Sequence, residues 1–222
     1  MARETYQAAL DRLRDDVLAM GDLVVDRYDD GLESLLAGDP ALAESVVAGD
    51  DEVNARYLAL ESDCIDLLAL QQPVAGDLRF VAASFKILTD LERVADLATN
   101  LGRYALAAEG SFRPEVAVGD IGATARDLLV RALDAYATGD PAACRAVVAD
   151  DDDLDALCLH ASETVTRELL EGRDDAWDLE RVVDDVSRLL LTVRDLERVG
   201  DHAVNVAART LYMAENDPEL IR

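Results

Sequence analysis

An internal repeat constrains the fold of this chain more than any other feature of its 222 residues. The segment LLAGDPALAESVVAGDDEV at 35–53 parallels YATGDPAACRAVVADDDDL at 136–154, with an offset of 101. Further along, TDLERVADLATN at 89–100 parallels RDLERVGDHAVN at 194–205, with an offset of 105. The change in offset implies a four-residue insertion in the second copy. Two copies of about a hundred residues therefore fill nearly the whole chain.

Each copy has the pattern of three long helices. Aromatic residues make up only 5% of a chain rich in Ala and Leu, which favours helices over sheets. Gly38 ends the first helix, Asp39 caps the second, and Pro40 occupies its first position. Short turns between helices of this length force antiparallel neighbours. The predicted helices span about 4–37, 40–70 and 77–108, then 115–138, 141–171 and 175–214.

The sequence therefore predicts an all-α fold of two tandem three-helix bundles, six long helices related by the internal repeat. We place the first bundle at residues 1–109 and the second at 115–215, with residues 110–114 as the linker.

The composition is strongly acidic, with 47 Asp and Glu against 21 Lys and Arg and a net charge of −26. Lys86 is the only lysine, so the chain lacks the clustered bases that general nucleic-acid binding requires. The acidity runs along the whole chain, which favours a halophilic protein whose self-repulsion is screened by molar salt. The alternative is an acidic surface that attracts cations or a basic partner. We interpret the densest runs, Asp50–Asp51 and Asp150–Asp153, as solvated helix faces.

No apolar run reaches the roughly 18–20 residues of a membrane helix, and the N-terminus lacks the apolar core of a signal peptide. We therefore expect a soluble, cytoplasmic protein without membrane insertion. His160 and His202 are too far apart for the usual zinc spacing. The cysteines form no CxxC pair and are expected to be small buried hydrophobic residues: Cys64, Cys144 and Cys158.

The third helix of each copy carries an apolar stripe that turns polar at four-residue intervals, which places the polar residues on one helix face. Like charges at this spacing repel each other, and acids beside a core are unfavourable unless something pairs with them. Two carboxylates and an amide oxygen are hard oxygen ligands, which suit a divalent or ferric ion. The predicted metal ligands are Glu92, Asp96 and Asn100 in the first copy and Glu197, Asp201 and Asn205 in the second.

Asp22 and Asp26 on the first helix are also four residues apart and could complete a site. The second copy has Ala123 at the position of Asp22 and keeps Asp127 at that of Asp26, so this part of the prediction is weaker there. In the alternative interpretation the stripes face water, with Arg93 and Arg198 as their local partners.

Two stretches resemble a known family. DLRFVAASFKILTDLERVADLATN at 77–100 and LERVGDHAVN at 196–205 are similar to the signature stretches of the PhoU family, the regulators of the phosphate-specific transport system. MGDLVVDRYDDGL at 20–32 and DDEVN at 50–54 resemble the family's first repeat. The resemblance covers nearly the whole chain and implies two three-helix bundles, a cytoplasmic homodimer and negative control of phosphate uptake.

The resemblance also implies metals and partners. Some members of the family carry metal ions or multinuclear iron clusters on a carboxylate motif, which Glu92/Asp96 and Glu197/Asp201 match here. It implies docking to the ATPase subunit of the phosphate ABC transporter and, in many bacteria, to a membrane sensor kinase. The family's Asp-Leu-Arg at the start of the third helix is present as Asp77 and Arg79, which are the candidate partner-binding residues. The second copy has Val182 and Asp184 there instead.

We therefore expect an accessory protein that represses phosphate uptake when phosphate is sufficient, and that acts by docking. It is not expected to be an enzyme, because no nucleophile–base pair and no phosphate-binding glycine loop is visible. One alternative is a carboxylate-bundle metalloenzyme, but neither His160 nor His202 has the Glu three residues earlier that such bundles use. The other alternative is a helical adaptor without metal.

Overall fold

The structure, a computed structural model, describes residues 2–70, 75–108, 116–171 and 179–221. The predicted linker, the turn at 71–74 and the predicted helical residues 175–178 lie outside these ranges. The described residues form seven α-helices and no strand. None of these helices is apolar over a length that could span a membrane. They are α1 (Ala2–Ala37), α2 (Pro40–Ala48), α3 (Asp50–Leu70), α4 (Ala75–Leu106), α5 (Val118–Thr138), α6 (Pro141–Glu171) and α7 (Leu179–Glu215).

The same local signals end the first helix and begin the second in both repeats. Gly38 and Gly139 adopt left-handed φ angles of 64° and 65° after α1 and α5. Asp39 Oδ1 accepts hydrogen bonds from the backbone N–H groups two and three residues further on, at 2.9 and 3.2 Å. Asp140 Oδ1 does the same at 2.8 and 3.4 Å. The helix boundaries predicted from these residues are confirmed.

The second helix of the first repeat is divided at Gly49, where the sequence predicts a continuous helix over 40–70. The Gly49 N–H donates to the carbonyls of Ser45 and Val46 at 3.0 and 3.2 Å, which ends α2. The guanidinium of Arg27 on α1 lies against Gly49, so a side chain at this position would have to displace it. In the second repeat Asp150 holds the equivalent position, and α6 continues through it.

Each repeat forms a three-helix bundle, as predicted. The helices α1, α2/α3 and α4 pack together in the first repeat, and α5, α6 and α7 in the second. The repeats join because α4 packs along α7 and α1 packs along α5. One hydrophobic core runs through both repeats, and its fully buried residues include Val17, Met20, Leu91, Leu128 and Val199. The division into domains at 1–109 and 115–215 stays a prediction.

The three cysteines are free and buried, as expected from the sequence. Burial raises the pKa of the Cys64 and Cys158 thiols to about 12 and that of Cys144 to about 11. Thiols with such pKa values stay protonated at neutral pH, so these residues serve packing rather than chemistry.

Candidate functional site

The first repeat brings the two predicted carboxylates of α4 close to Asp50 at the start of α3. Burial raises the pKa of Glu92, and the negative charges of Asp96 and Asp50 raise it further. Burial also raises the pKa of Asp96, and the negative charge of Asp50 is the next largest cause of this increase. We call this group, together with Asn54 beside Asp50, the first cluster: Asp50, Asn54, Glu92 and Asp96.

Hydrogen-bond donors satisfy Asp50 from two directions. Its Oδ1 accepts from the Thr99 hydroxyl on α4 at 3.2 Å, and its Oδ2 accepts from the Asn54 amide at 3.3 Å. The break at Gly49 also places Asp50 in the first turn of α3, where the helix dipole favours a negative charge. The Asp50 carboxylate is therefore stabilised by the protein itself.

Arginine side chains oppose the negative charge of the first cluster. Arg93 Nε lies 3.7 Å from Glu92 Oε2. Burial raises the pKa of Asp96, and Arg93, Arg103 and Arg198 each act to lower it. Arg198 comes from α7, so the second repeat supplies part of this compensation. This agrees in part with the interpretation that Arg93 and Arg198 are local partners of the stripes.

The second repeat forms a richer group of carboxylates at the equivalent place. Asp151 and Asp155 of α6 lie near Glu197 and Asp201 of α7, and we call these four residues the second cluster. Burial raises the pKa of Asp151 to about 6, with Asp155 and Asp201 as the next causes. Burial, followed by the charges of Asp155 and Asp201, also raises the pKa of Glu197. The four carboxylates therefore act on one another.

The Asp151 carboxylate lacks the donors that its counterpart has. Its Oδ1 atom is buried and has no hydrogen-bond partner in the described part of the chain. It lies against α7 at Gly200, where an added Cβ would come within 2.8 Å of this oxygen. At the positions equivalent to Thr99 and Asn54, the second repeat has Val204 and Asp155. The apolar Val204 side chain and the ionised Asp155 carboxylate have no hydrogen to donate.

The two predicted asparagine ligands connect the repeats. Asn100 Nδ2 on α4 donates to Asp195 Oδ2 on α7 at 3.1 Å, and Asn205 Nδ2 on α7 donates to Asp90 Oδ1 on α4 at 3.1 Å. The contacts are reciprocal, because Asp90 and Asp195 occupy equivalent positions. The amides are used in the α4–α7 interface, and their role as metal ligands stays a prediction. Tyr104 and His202 reinforce these contacts, at 2.8 Å to Asp195 and 2.9 Å to Asp90.

That Asp22 and Asp26 could complete a site with the α4 carboxylates stays a prediction. Both are exposed on α1, whose opposite face enters the core. Asp26 lies toward α5, where the pKa of Arg126 is raised mainly by its hydrogen bond to Asp29 and also by the charge of Asp26. Among the described residues, the carboxylate whose charge raises the pKa of both Glu92 and Asp96 is Asp50 on α3.

Asp77 and Arg79 lie in the first turn and a half of α4, whereas Glu92 and Asp96 lie past the middle of the same helix. Asp77 lines a cleft with Arg14 of α1, whose guanidinium lies 5.1 Å from the centre of the Phe80 ring. Arg79 Nε is buried and has no hydrogen-bond partner among the described residues. Their role in binding a partner stays a prediction.

Sequence reasoning missed Asp50, Asp151 and Asp155 as members of the clusters. The acidic runs were interpreted as solvated helix faces, and Asp51, Asp150, Asp152 and Asp153 are indeed exposed, whereas Asp50 and Asp151 are partly buried. Asp155 lies outside these runs and is exposed. The signal was present in the repeat, because an offset of 101 aligns Asp50 with Asp151 and places Asp155 at the position of Asn54.

The second cluster has a donor set that fits a hard cation. Among the described residues, no three His, Cys, Asp or Glu side chains already surround a point where a metal could bind. Four carboxylates nevertheless supply the oxygen ligands that divalent and ferric ions prefer. The buried Asp151 Oδ1 without a donor is an atom that a cation would satisfy. The chemistry of the donors therefore fits a metal ion.

The comparisons with known proteins identify the family. The family profile described as "PhoU domain" matches the chain twice, at residues 17–105 and 118–210. This chain belongs to the PhoU family. The resemblance found in the sequence is thus confirmed, and the two matches coincide with the two repeats.

Individual relatives agree with this membership. The "Phosphate-specific transport system accessory protein PhoU homolog" of Pseudomonas aeruginosa is 34% identical over 213 residues, which cover 95% of this chain and 85% of the relative. The crystal structure of PhoU from Pseudomonas aeruginosa superimposes with a TM-score of 0.87 at 32% identity, over 96% of this chain and 100% of that chain.

The fold extends to a more distant structure. The "phosphate transport system regulatory protein PhoU" of Streptococcus pneumoniae has the same TM-score of 0.87 at 23% identity, over 96% of this chain and 98% of that chain. The relatives are named as accessory or regulatory proteins, so the expectation that a PhoU family member is not an enzyme agrees with them.

Proposed function

We propose that this protein represses phosphate uptake when phosphate is sufficient, as a cytoplasmic accessory protein of the phosphate-specific ABC transporter. The main support is the match of the PhoU family to both repeats, together with an accessory-protein relative aligned over 95% of the chain. We propose that the protein works as a homodimer and docks to the transporter's ATPase subunit. Where the organism has a membrane sensor kinase of the phosphate response, that kinase is a second partner.

Deletion of the gene tests this proposal. In phosphate-rich medium the deletion strain is expected to take up phosphate faster and to accumulate more polyphosphate than the parent, because repression is lost. Uptake of labelled phosphate measures the effect, and the gene supplied on a plasmid should restore the parental rate. Unchanged uptake in a clean deletion would contradict the regulatory function.

The start of α4 is the proposed docking surface. The partly exposed Asp77 carboxylate and the Arg14 guanidinium over Phe80 line the same cleft, so the surface offers both signs of charge beside an aromatic ring. The second repeat lacks the pair of Asp77 and Arg79, since a buried Val182 and an exposed Asp184 stand at the equivalent positions. Docking through this motif therefore uses one end of the first repeat.

Variants at this surface test the docking. Asp77→Ala and Arg79→Gln are expected to reduce capture of the purified ATPase subunit about tenfold or more, the effect of losing one charged contact at an interface. Asp184→Ala, the equivalent position in the second repeat, is the matched control and should bind normally. Circular dichroism confirms that each variant is folded. Normal capture by both test variants would move the docking surface elsewhere.

The two clusters are the proposed metal sites. Glu92 and Asp96 with Asp50 would hold a cation in the first repeat, and Glu197 and Asp201 with Asp151 and Asp155 in the second. A bound cation would supply the positive charge that these neighbouring carboxylates need. Asp96→Asn with Asp201→Asn removes two ligand charges at nearly constant shape. The double variant should lose metal in elemental analysis yet fold well, and equal metal content in both proteins would contradict the assignment.

A further inference from the structure

We infer that the second cluster binds cations more tightly than the first, and that Asp155 and Val204 determine the difference. This inference rests on the proposal that the clusters bind metal. It adds an order of affinity and names the residues of this chain that set it.

The first cluster is already satisfied without a cation. Asp50 accepts from the Thr99 hydroxyl at 3.2 Å and from the Asn54 amide at 3.3 Å. Each donor occupies one lone pair of its oxygen and partly neutralises its charge, so Asp50 attracts a cation less than a carboxylate without donors does. Arg93 also lies 3.7 Å from Glu92 and repels an approaching cation.

The second cluster has unused binding capacity. Asp151 Oδ1 is buried without a partner among the described residues, and a buried polar atom in this state is unfavourable until something binds it. Asp155 supplies a fourth carboxylate where the first cluster has the neutral Asn54. A cation entering here meets a buried Asp151 oxygen whose charge no donor has partly neutralised, so we expect it to bind more strongly than at Asp50.

Two substitutions carry the difference, and both nearly conserve shape. Val204 and Thr99 occupy equivalent positions and differ by a methyl group in place of a hydroxyl. Asp155 and Asn54 differ by one oxygen in place of an amide nitrogen. The chain therefore offers a reciprocal exchange in which each cluster receives the polar groups of the other while the packing volume stays nearly constant.

The experiment titrates Mn²⁺ alone into the demetallated full chain by isothermal titration calorimetry. The wild type is expected to show a tight and a weak class of site. Asp155→Asn with Val204→Thr should weaken the tight class about tenfold or more, and Asn54→Asp with Thr99→Val should strengthen the weak class by a similar factor. Each exchange thus changes the Mn²⁺ affinity of a different class of site.

Thermal unfolding of the metal-free variants gives a second readout. Asp155→Asn with Val204→Thr should raise the midpoint, because Asp151 gains donors and loses a like charge. Asn54→Asp with Thr99→Val should lower the midpoint, because Asp50 loses both donors and gains a neighbouring like charge.

Two outcomes would overturn the inference, and they can be told apart. Equal Mn²⁺ affinity at both clusters, unchanged by either exchange, refutes the order of affinity but leaves metal binding in place. Failure of the wild type to bind Mn²⁺ at all refutes the proposed metal sites together with the inference.

Discussion

Asp50 and Asp151 occupy equivalent positions in the two repeats, but their surroundings treat a negative charge differently. Asp50 lies in the first turn of α3 and accepts two hydrogen bonds, whereas Asp151 lies within the continuous α6 with one buried oxygen unpartnered among the described residues. The helix interruption at Gly49 accounts for part of this difference, because it creates the helix start that benefits Asp50. Equivalence in the fold therefore does not make two carboxylates chemically equivalent.

Salt is expected to have the largest effect. The midpoint of thermal unfolding should rise on the order of 10 °C between low and molar KCl, because screening relieves the repulsion among 26 excess negative charges. The salt-induced rise in the midpoint should be smaller in the double variant Asp151→Asn with Asp155→Asn, which removes two charges of the second cluster. The matched control is Asp51→Asn with Asp153→Asn, which removes two exposed charges outside the clusters and should keep a larger rise. A midpoint that stays flat or falls in wild type would show that the acidity is not an adaptation to salt.

Alanine substitution should have opposite signs at the two equivalent carboxylates. In metal-free protein, Asp50→Ala is expected to lower the free energy of unfolding by about 1–2 kcal/mol, because the buried Thr99 hydroxyl loses its acceptor. Asp151→Ala removes a carboxylate that lacks donors and repels its neighbours, so it should leave stability unchanged or raise it. Urea unfolding of both variants in EDTA measures the difference. Equal losses at both positions would mean that the two environments are energetically alike.

The pH dependence of the metal-free protein should be smaller still. The folded state raises the pKa of Asp151 to about 6, so it binds a proton there that the unfolded chain releases. The stability that this group contributes is therefore fully present below its unfolded pKa of 3.8, and it is lost as the pH rises through about 6.

Because Asp151 is only half-buried, we expect its protonation to raise the free energy of unfolding by about 1 kcal/mol. This corresponds to a rise of about 2–4 °C in the unfolding midpoint. The groups that face it from both helices are Asp155 and Asp152 on α6 and Glu197 and Asp201 on α7. Asp151→Asn should flatten this part of the profile when unfolding is followed by circular dichroism. An unchanged slope in that variant would assign the titration to the other carboxylates.

The helices and their ends were predictable because their signals are local. A cap such as Asp39, or apolar residues at helical spacing, acts within one or two turns of the same helix. The four-residue spacing likewise put Glu92 and Asp96 on one face. The break at Gly49 was missed because apolar periodicity continues through it, and its neighbour Arg27 comes from another helix.

The partners of the stripes depended on how whole helices pack. Asp50 and Asp151 join the clusters only because α3 and α6 turn those side chains toward α4 and α7. The neighbours of Asp26 likewise depend on which face of α1 enters the core. The bonds of Asn100 and Asn205 require the α4–α7 interface, which no periodicity within one repeat reveals.

The reciprocal contacts of Asn100 and Asn205 across α4 and α7 have a consequence for how the molecule assembles. Two separate copies of one repeat would meet through such an interface only above a threshold concentration, whereas here the second copy is tethered to the first. The α4–α7 interface consequently persists at any dilution of the protein. A tethered pair also has no requirement that its halves be identical. Each repeat is therefore free to carry its own substitutions, as Asn54 and Asp155 do, without a loss of assembly.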